Sequence, residues 1–95
     1  MLVHMVCFKY KPEVNAERRE EHRARLLALA DIEGVLNLRV GADVVQSPRS
    51  FDAGLVVAFR DRAALDAYAH HSRHVPVAEL GRAYCDQIVS VDFES

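Results

Sequence analysis

Short runs of apolar residues alternate along the chain with segments in which apolar residues recur every three or four positions. Short runs are typical of strands, and the longer period is typical of helices that bury one face. The runs predict four strands, over residues 2–10, 35–44, 53–59 and 87–93.

A helical pattern separates the first two predicted strands. Asn15 is suited to cap this helix, because its side chain can accept a hydrogen bond from a free backbone N–H group at the helix start. The helix is predicted to run to about Ala30 or Asp31, and Gly34 ends the helical region. Its Arg and Glu residues are predicted to face solvent.

A second helical region follows the third strand. Asp61 is suited to cap a helix that contains Tyr68. A break is expected at 70–74. A further short helix then has Pro76 in its first turn and extends through Tyr84.

The elements follow the order β-α-β-β-α-β, which is that of the ferredoxin-like fold. We therefore expect an α+β domain with a four-stranded antiparallel sheet and the helices on one face. The chain has 95 residues and is expected to form one domain over 1–95.

Three of the predicted strands are apolar on both faces. In the first strand, Met5 and Cys7 oppose Val6 and Phe8. Because the helices cover only one face of the sheet, the other face needs a second cover. A twofold homodimer with two sheets face to face would supply it. The outward set is expected to contain Leu55, Val57, Val89 and Val91.

The charge balance argues against nucleic acid as the main partner. The net charge is −2, so no excess of cations is present to displace phosphate counterions. No apolar run approaches the ~20 residues of a membrane span, and the first ten residues lack the pattern of a signal peptide. Cys7 and Cys85 lie in apolar stretches and are predicted to be reduced thiols in a cytoplasmic protein.

Histidines are the candidate chemical groups of this chain. His4 shares its strand face with Val6 and Phe8, and His22 lies one turn before Leu26. Two histidines that converge on one layer predict a polar-lined pocket between helices and sheet. The alternative is that each is a hydrogen-bonded core histidine.

Tyr68 and His74 are the pair that we choose for acid–base chemistry. A histidine exchanges protons near neutral pH, and a tyrosine hydroxyl can hold a carbonyl oxygen on which negative charge develops. His71 and His74 could hold a metal, but no Asp, Glu or Cys in the segment completes a three-ligand set. The chain also has no phosphate loop and no dinucleotide fingerprint, so neither a metal nor a cofactor is expected.

Several short motifs spread over residues 2–94 carry a family likeness. They are His4-Met5-Val6-Cys7-Phe8-Lys9-Tyr10-Lys11, Gly34-Val35, Val40-Gly41, Phe51-Asp52 with Leu55, Leu65 with Tyr68, His71-x-x-His74-Val75 and Val91-Asp92-Phe93-Glu94. In this order they resemble the stress-responsive α/β-barrel (Dabb) domain family. The resemblance implies a ferredoxin-like dimer in which two sheets close a central barrel.

The resemblance also implies a site. Plant members include heat-stable stress proteins and a polyketide cyclase that closes a ring without a cofactor. The catalytic tyrosine and histidine of the cyclase fall on Tyr68 and His74, and its other pocket histidines fall on His4 and His71.

The chain departs from the cyclase at four positions. His22 and Leu26 stand where the cyclase has aromatic residues, and Cys85 stands where it has tryptophan. Ser72 replaces the usual proline of the His-x-x-His segment. These changes give the pocket a different shape, so the substrate of the cyclase is not carried over.

We therefore expect a homodimer with a small-molecule pocket in each subunit and cofactor-free acid–base chemistry on a carbonyl or aromatic compound. The pocket is expected to be lined by His4, Val6, Phe8, His22, Leu26 and His71. One alternative is a non-catalytic stress or ligand-binding dimer. Another is a cofactor-free monooxygenase, as in related dimeric barrels.

Overall fold

The computed structural model describes residues 1–95 as a layer of helices packed on one sheet. The strands are β1 (Leu2–Tyr10), β2 (Val35–Ala42), β3 (Ala53–Phe59) and β4 (Cys85–Glu94). The helices are α1 (Ala16–Leu27), α2 (Arg62–Ala69) and α3 (His74–Tyr84). The strand order is β2-β3-β1-β4, and each neighbouring pair is antiparallel. This is the predicted ferredoxin-like α+β fold, which is thereby confirmed.

The element boundaries differ from the predicted ones by a few residues. Helix α1 ends at Leu27, and a 3-10 turn over Ala28–Asp31 continues it to the predicted end. Strand β2 stops at Ala42 because the next residue, Asp43, accepts a hydrogen bond from the Gln46 amide in a loop turn. Strand β4 begins directly after α3, two residues before its predicted start.

Side chains cap two of the helices, as the sequence predicts. The Asn15 side chain accepts a hydrogen bond from the Arg18 amide at 2.9 Å, and Asp61 accepts one from the Ala64 amide at 2.9 Å. Gly34 has φ of +95°, and a Cβ there would lie 2.9 Å from the Ala64 Cβ. Only glycine fits this close approach between the start of β2 and α2 without strain.

The inner face of the sheet forms the core with the helices. Residues 2, 6, 8 and 10 of β1 are buried there, together with alternate residues of β3. Tyr68 and Phe59 are among the most buried side chains, and His22 is the one buried polar residue. The helices therefore cover most of one face of the sheet.

The other side of the sheet, which we call the outer face, lies open in the single chain. It carries Val3, Met5, Cys7, Val56, Ala58, Val89, Val91 and Phe93. The expectation for β4 holds, since Val89 and Val91 are 48% and 55% exposed. The expectation for β3 is wrong: Leu55 and Val57 are buried. Leu55 pairs with Val6 of β1, and paired residues share a face.

Both cysteines are free thiols. Cys7 is half-buried on the outer face, and Cys85 is buried at the end of α3. Burial raises the pKa of Cys85 to about 11, so this thiol stays protonated at neutral pH. None of the helices is long and apolar enough to cross a membrane.

Candidate functional site

A cavity of about 140 Å³ lies between α1, α3 and the inner face of the sheet. Its wall includes most of the residues expected from the sequence, namely His4, Val6, Phe8, His22, Leu26 and His74. The alternation of side chains along β1 explains why His4, Val6 and Phe8 are in the wall, because residues 4, 6 and 8 all point to the helical layer. The wall thus combines apolar side chains with three histidines.

His4 is hydrogen-bonded to Asp92 across two neighbouring strands. The register of β1 and β4 places the two residues directly opposite each other, and the His4 Nδ1 donates a hydrogen bond to the Asp92 carboxylate. Because a carboxylate can only accept, this contact fixes a proton on Nδ1 and leaves Nε2 as the nitrogen that can exchange a proton with a ligand. Asp92 was not expected from the sequence, because its role depends on a pairing between the first and last strands.

His74 begins α3 and has a fixed tautomer. Its Nδ1 is 3.0 Å from the Ala69 carbonyl oxygen, which can only accept, so the proton sits on Nδ1. Burial is the main cause that lowers the pKa of His74, and it outweighs the hydrogen bond to Ala69, which acts in the opposite direction. The ring is therefore neutral at pH 7, with an unprotonated Nε2 that can take a proton.

Tyr68 packs behind His74 and is not part of the cavity wall. It is 1% exposed, and its ring centroid lies 4.6 Å from that of His74 and 5.0 Å from that of Phe59. Burial raises the pKa of Tyr68 to about 12, which keeps the hydroxyl protonated. That hydroxyl has no hydrogen-bond partner in the protein.

His71 lies apart from the other expected site residues. It lines a shallow groove with Ile32, Gly34 and Ala64, and its Nδ1 accepts a hydrogen bond from the Arg73 amide at 3.0 Å. The turn between α2 and α3 causes this separation, because it directs His71 and His74 to different sides.

Helix α3 contributes residues to the cavity wall that were not predicted from the sequence. Ala78 and Arg82 follow His74 at intervals of four residues and line the same cavity. Residues four apart share one face of a helix, so this spacing could have identified them once His74 was placed. Arg82 is exposed and brings a positive charge to the cavity opening.

A larger and more open groove of about 450 Å³ lies on the other side of Tyr10. It is lined by charged residues that pair with one another: Asp52 is 3.8 Å from Lys9 and 3.9 Å from Arg19. None of the expected site residues lines this groove, whereas most of them line the smaller cavity, so the smaller cavity is the better candidate site.

Comparison with known proteins identifies the class of this chain. The model of the family described as "Stress responsive A/B Barrel Domain" (Dabb) matches residues 2–95. The chain belongs to this family, as its motifs suggested. A search of curated proteins found no significant match.

Solved structures with the same fold include several described as dimeric. A dimeric ferredoxin-like protein of unknown function from Jannaschia sp. CCS1 is 34% identical, with a TM-score of 0.84 and 99% and 98% of the two chains covered. A dimeric ferredoxin-like protein from Thermobifida fusca is 22% identical, with a TM-score of 0.91 over 99% of this chain and 90% of its own. A hydroxynitrile lyase from Passiflora edulis is 16% identical, with a TM-score of 0.86 over 97% and 90%.

Proposed function

We propose that this protein is a cytoplasmic homodimer that performs cofactor-free acid–base chemistry on a small carbonyl or aromatic compound in the cavity of each subunit. The observation that carries the proposal is the state of His74, a neutral imidazole with a free Nε2 in the cavity wall. The volume of about 140 Å³ is well below the ~300–1,000 Å³ of sites for drug-sized ligands, so the ligand is small.

In the proposed reaction, His74 Nε2 removes a proton from the carbon next to a carbonyl group. Tyr68 is buried behind the cavity wall with its ring 4.6 Å from that of His74, so in this scheme it holds the His74 ring in place, and negative charge develops on the carbonyl oxygen. General acid–base help of this kind typically contributes ~10²–10⁴ in rate. Arg82 at the opening supports the same charge electrostatically.

The His4–Asp92 pair supplies a second group for proton transfer. The carboxylate stabilises the positive charge that His4 gains when its Nε2 accepts a proton. Because His4 and His74 line one cavity, either Nε2 can remove a proton from the ligand, and the same ring then returns that proton to the product. A cyclisation or a reversible addition at a carbonyl can use such a proton transfer, and one structural neighbour is described as a hydroxynitrile lyase.

The outer face supports the homodimer. Its apolar side chains include Val56, Val91 and Phe93, which are 38%, 55% and 44% exposed in the single chain. Contiguous apolar patches of this kind mark interaction sites on soluble proteins. The structural neighbours described as dimeric share this fold, which supports a second copy as the cover.

A non-catalytic ligand-binding dimer is the second candidate. It is favoured by the fact that both His4 and His74 already have hydrogen-bond partners within the protein. A cofactor-free monooxygenase is a third, and it would consume oxygen when an aromatic substrate is added.

Hydrogen–deuterium exchange separates these candidates. Small ketones and aldehydes are incubated with the protein in D₂O, and loss of the proton signal next to the carbonyl is followed by NMR. We expect exchange above the buffer rate with the wild type and loss of that excess in His74→Ala. His70→Ala is the matched control, because His70 is exposed and lies outside the cavity wall. Equal rates in the wild type and His74→Ala would exclude the proposed chemistry and favour ligand binding alone.

A further inference from the structure

A polar atom with no partner in the protein lies at the inner wall of the cavity. His22 is 0% exposed, its Nδ1 is 2.7 Å from the Tyr10 hydroxyl oxygen, and its Nε2 has no hydrogen-bond partner. Buried polar atoms are nearly always paired because removing them from water is costly, so this one requires an explanation. The proposed reaction makes no use of His22.

Tyr10 determines which nitrogen of His22 carries the proton. Burial lowers the pKa of His22 to about 4 and raises that of Tyr10 to about 12, so both side chains are neutral at pH 7. A phenol is a better hydrogen-bond donor than a neutral imidazole and a poorer acceptor. The Tyr10 hydroxyl therefore donates to Nδ1, and the ring proton of His22 sits on Nε2. His22 thus presents a neutral N–H donor.

Gly81 places no side chain between this buried donor and the cavity. A Cβ at position 81 would lie 3.2 Å from His22 Nε2 and 3.8 Å from the Ile88 Cδ1. All three residues line the cavity, so the wall beside the donor has no side chain at this point. The rest of the inner wall is apolar, with Phe8 and Leu26 next to His22.

We propose that the His22 N–H, oriented by Tyr10 and left open by Gly81, anchors a carbonyl oxygen of the ligand at the inner end of the cavity. This inference rests on the proposed function, since it assigns the orientation of the ligand in the same site. Positions 74 and 81 are about 10 Å apart along α3 at 1.5 Å per residue, so the anchored oxygen is distinct from the one that reacts beside His74. The substrate class is therefore a small, uncharged dicarbonyl compound.

Two matched probes test the anchor. Cyclohexanone and methylenecyclohexane have nearly the same shape, but only the ketone has an oxygen that accepts a hydrogen bond. Binding is followed by NMR through the ring ¹⁵N signals of His22. We expect an Nε2–H tautomer in the free protein and about 3- to 10-fold tighter binding of the ketone, which is the usual net effect of one hydrogen bond.

Two variants locate the effect. His22→Phe removes the donor but keeps an aromatic ring, and Gly81→Ala keeps His22 but covers its Nε2 with a methyl group. Both are expected to bind the two probes equally. Since Gly81→Ala also raises helix propensity, it is expected to fold even if His22→Phe does not.

Equal binding of the two probes to the wild type, binding of neither, or an Nδ1–H tautomer would overturn the anchor. The exchange assay with His74→Ala is independent of it. Exchange without a preference for the ketone excludes only the anchor, and a preference without exchange excludes only the catalytic proposal.

Discussion

A charge on the outer face should abolish the proposed dimer, and Val91→Glu is the sharpest test. Val91 lies in the edge strand β4, where it pairs with Met5 of β1 and has Val89 and Phe93 on either side of it on the outer face. It is 55% exposed in the single chain, which leaves about half of its side chain to be buried by a partner. The substitution does not touch the inner face or the cavity.

The loss of dimerisation free energy in Val91→Glu can be estimated from the burial of residue 91 and from its new charge. Burying a whole valine side chain contributes ~1.5–3 kcal/mol, so losing half of this costs roughly 1 kcal/mol per chain. A carboxylate that is buried without a partner adds roughly 3–5 kcal/mol per chain. Because a twofold dimer contains the change twice, the total is roughly 8–12 kcal/mol, or more than about 10⁵ in the dissociation constant.

Sedimentation velocity at micromolar concentration measures the result. We expect a dimer for the wild type and a folded or partly unfolded monomer for Val91→Glu. Val44→Glu is the control, because Val44 is 89% exposed in the loop after β2. Val91→Lys guards against rescue of the glutamate by Arg39, which lies on the outer face of β2. A wild-type monomer, or a Val91→Glu dimer of unchanged affinity, would contradict the proposed interface.

Two further predictions concern stability. Because burial lowers the pKa of His22 to about 4 from 6.5, the unfolded chain binds more protons in this range, and the free energy of unfolding should fall as the pH drops from about 6.5 to 4. Urea unfolding should show a loss of roughly 3 kcal/mol at most from His22, and His22→Phe should keep only the loss due to His74, whose pKa is also lowered. In the same assay, Gly34→Ala should lower the free energy of unfolding by about 1–3 kcal/mol, because φ is positive at this position and the new Cβ would contact Ala64. Gly41→Ala should lower it by less than about 1 kcal/mol, because no atom lies within 4 Å of the new Cβ. A flat pH profile, or equal losses in the two glycine variants, would show that these local arguments fail.

Apolar alternation predicted the fold and the two-faced sheet, but it could not say which face of β3 points outward. When a strand is apolar on both sides, its own pattern is symmetric, and only its pairing decides. Leu55 lies opposite Val6 and is therefore on the inner face. The bulge at the start of β2 had no sequence signal either, and it leaves Leu36 unpaired and 55% exposed instead of on the face of Leu38.

The positions of the histidines in the site could be predicted from neighbouring residues in the sequence, but their hydrogen-bond partners depend on contacts between distant segments. Parity placed His4 in the wall, and the helical period placed His22 there, because both depend on neighbours in the sequence. The partners of these histidines could not be predicted. Asp92 reaches His4 through the register of β1 and β4, and Tyr10 reaches His22 through the packing of α1 on β1.

Strand β1 contributes to both the proposed dimer interface and the proposed site, because its alternate residues lie on opposite faces of the sheet. His4, Val6 and Phe8 line the cavity, while Met5 and Cys7 belong to the outer face. A shift of one residue in the register of β1 would exchange the two sets, so each face constrains the other. The residues that line the cavity lie on the inner side of the sheet, away from the outer face that the proposed dimer would cover, so a folded monomer is expected to retain the proposed catalytic groups. The dimer would contribute by holding β1 against β4, which keeps His4 opposite Asp92.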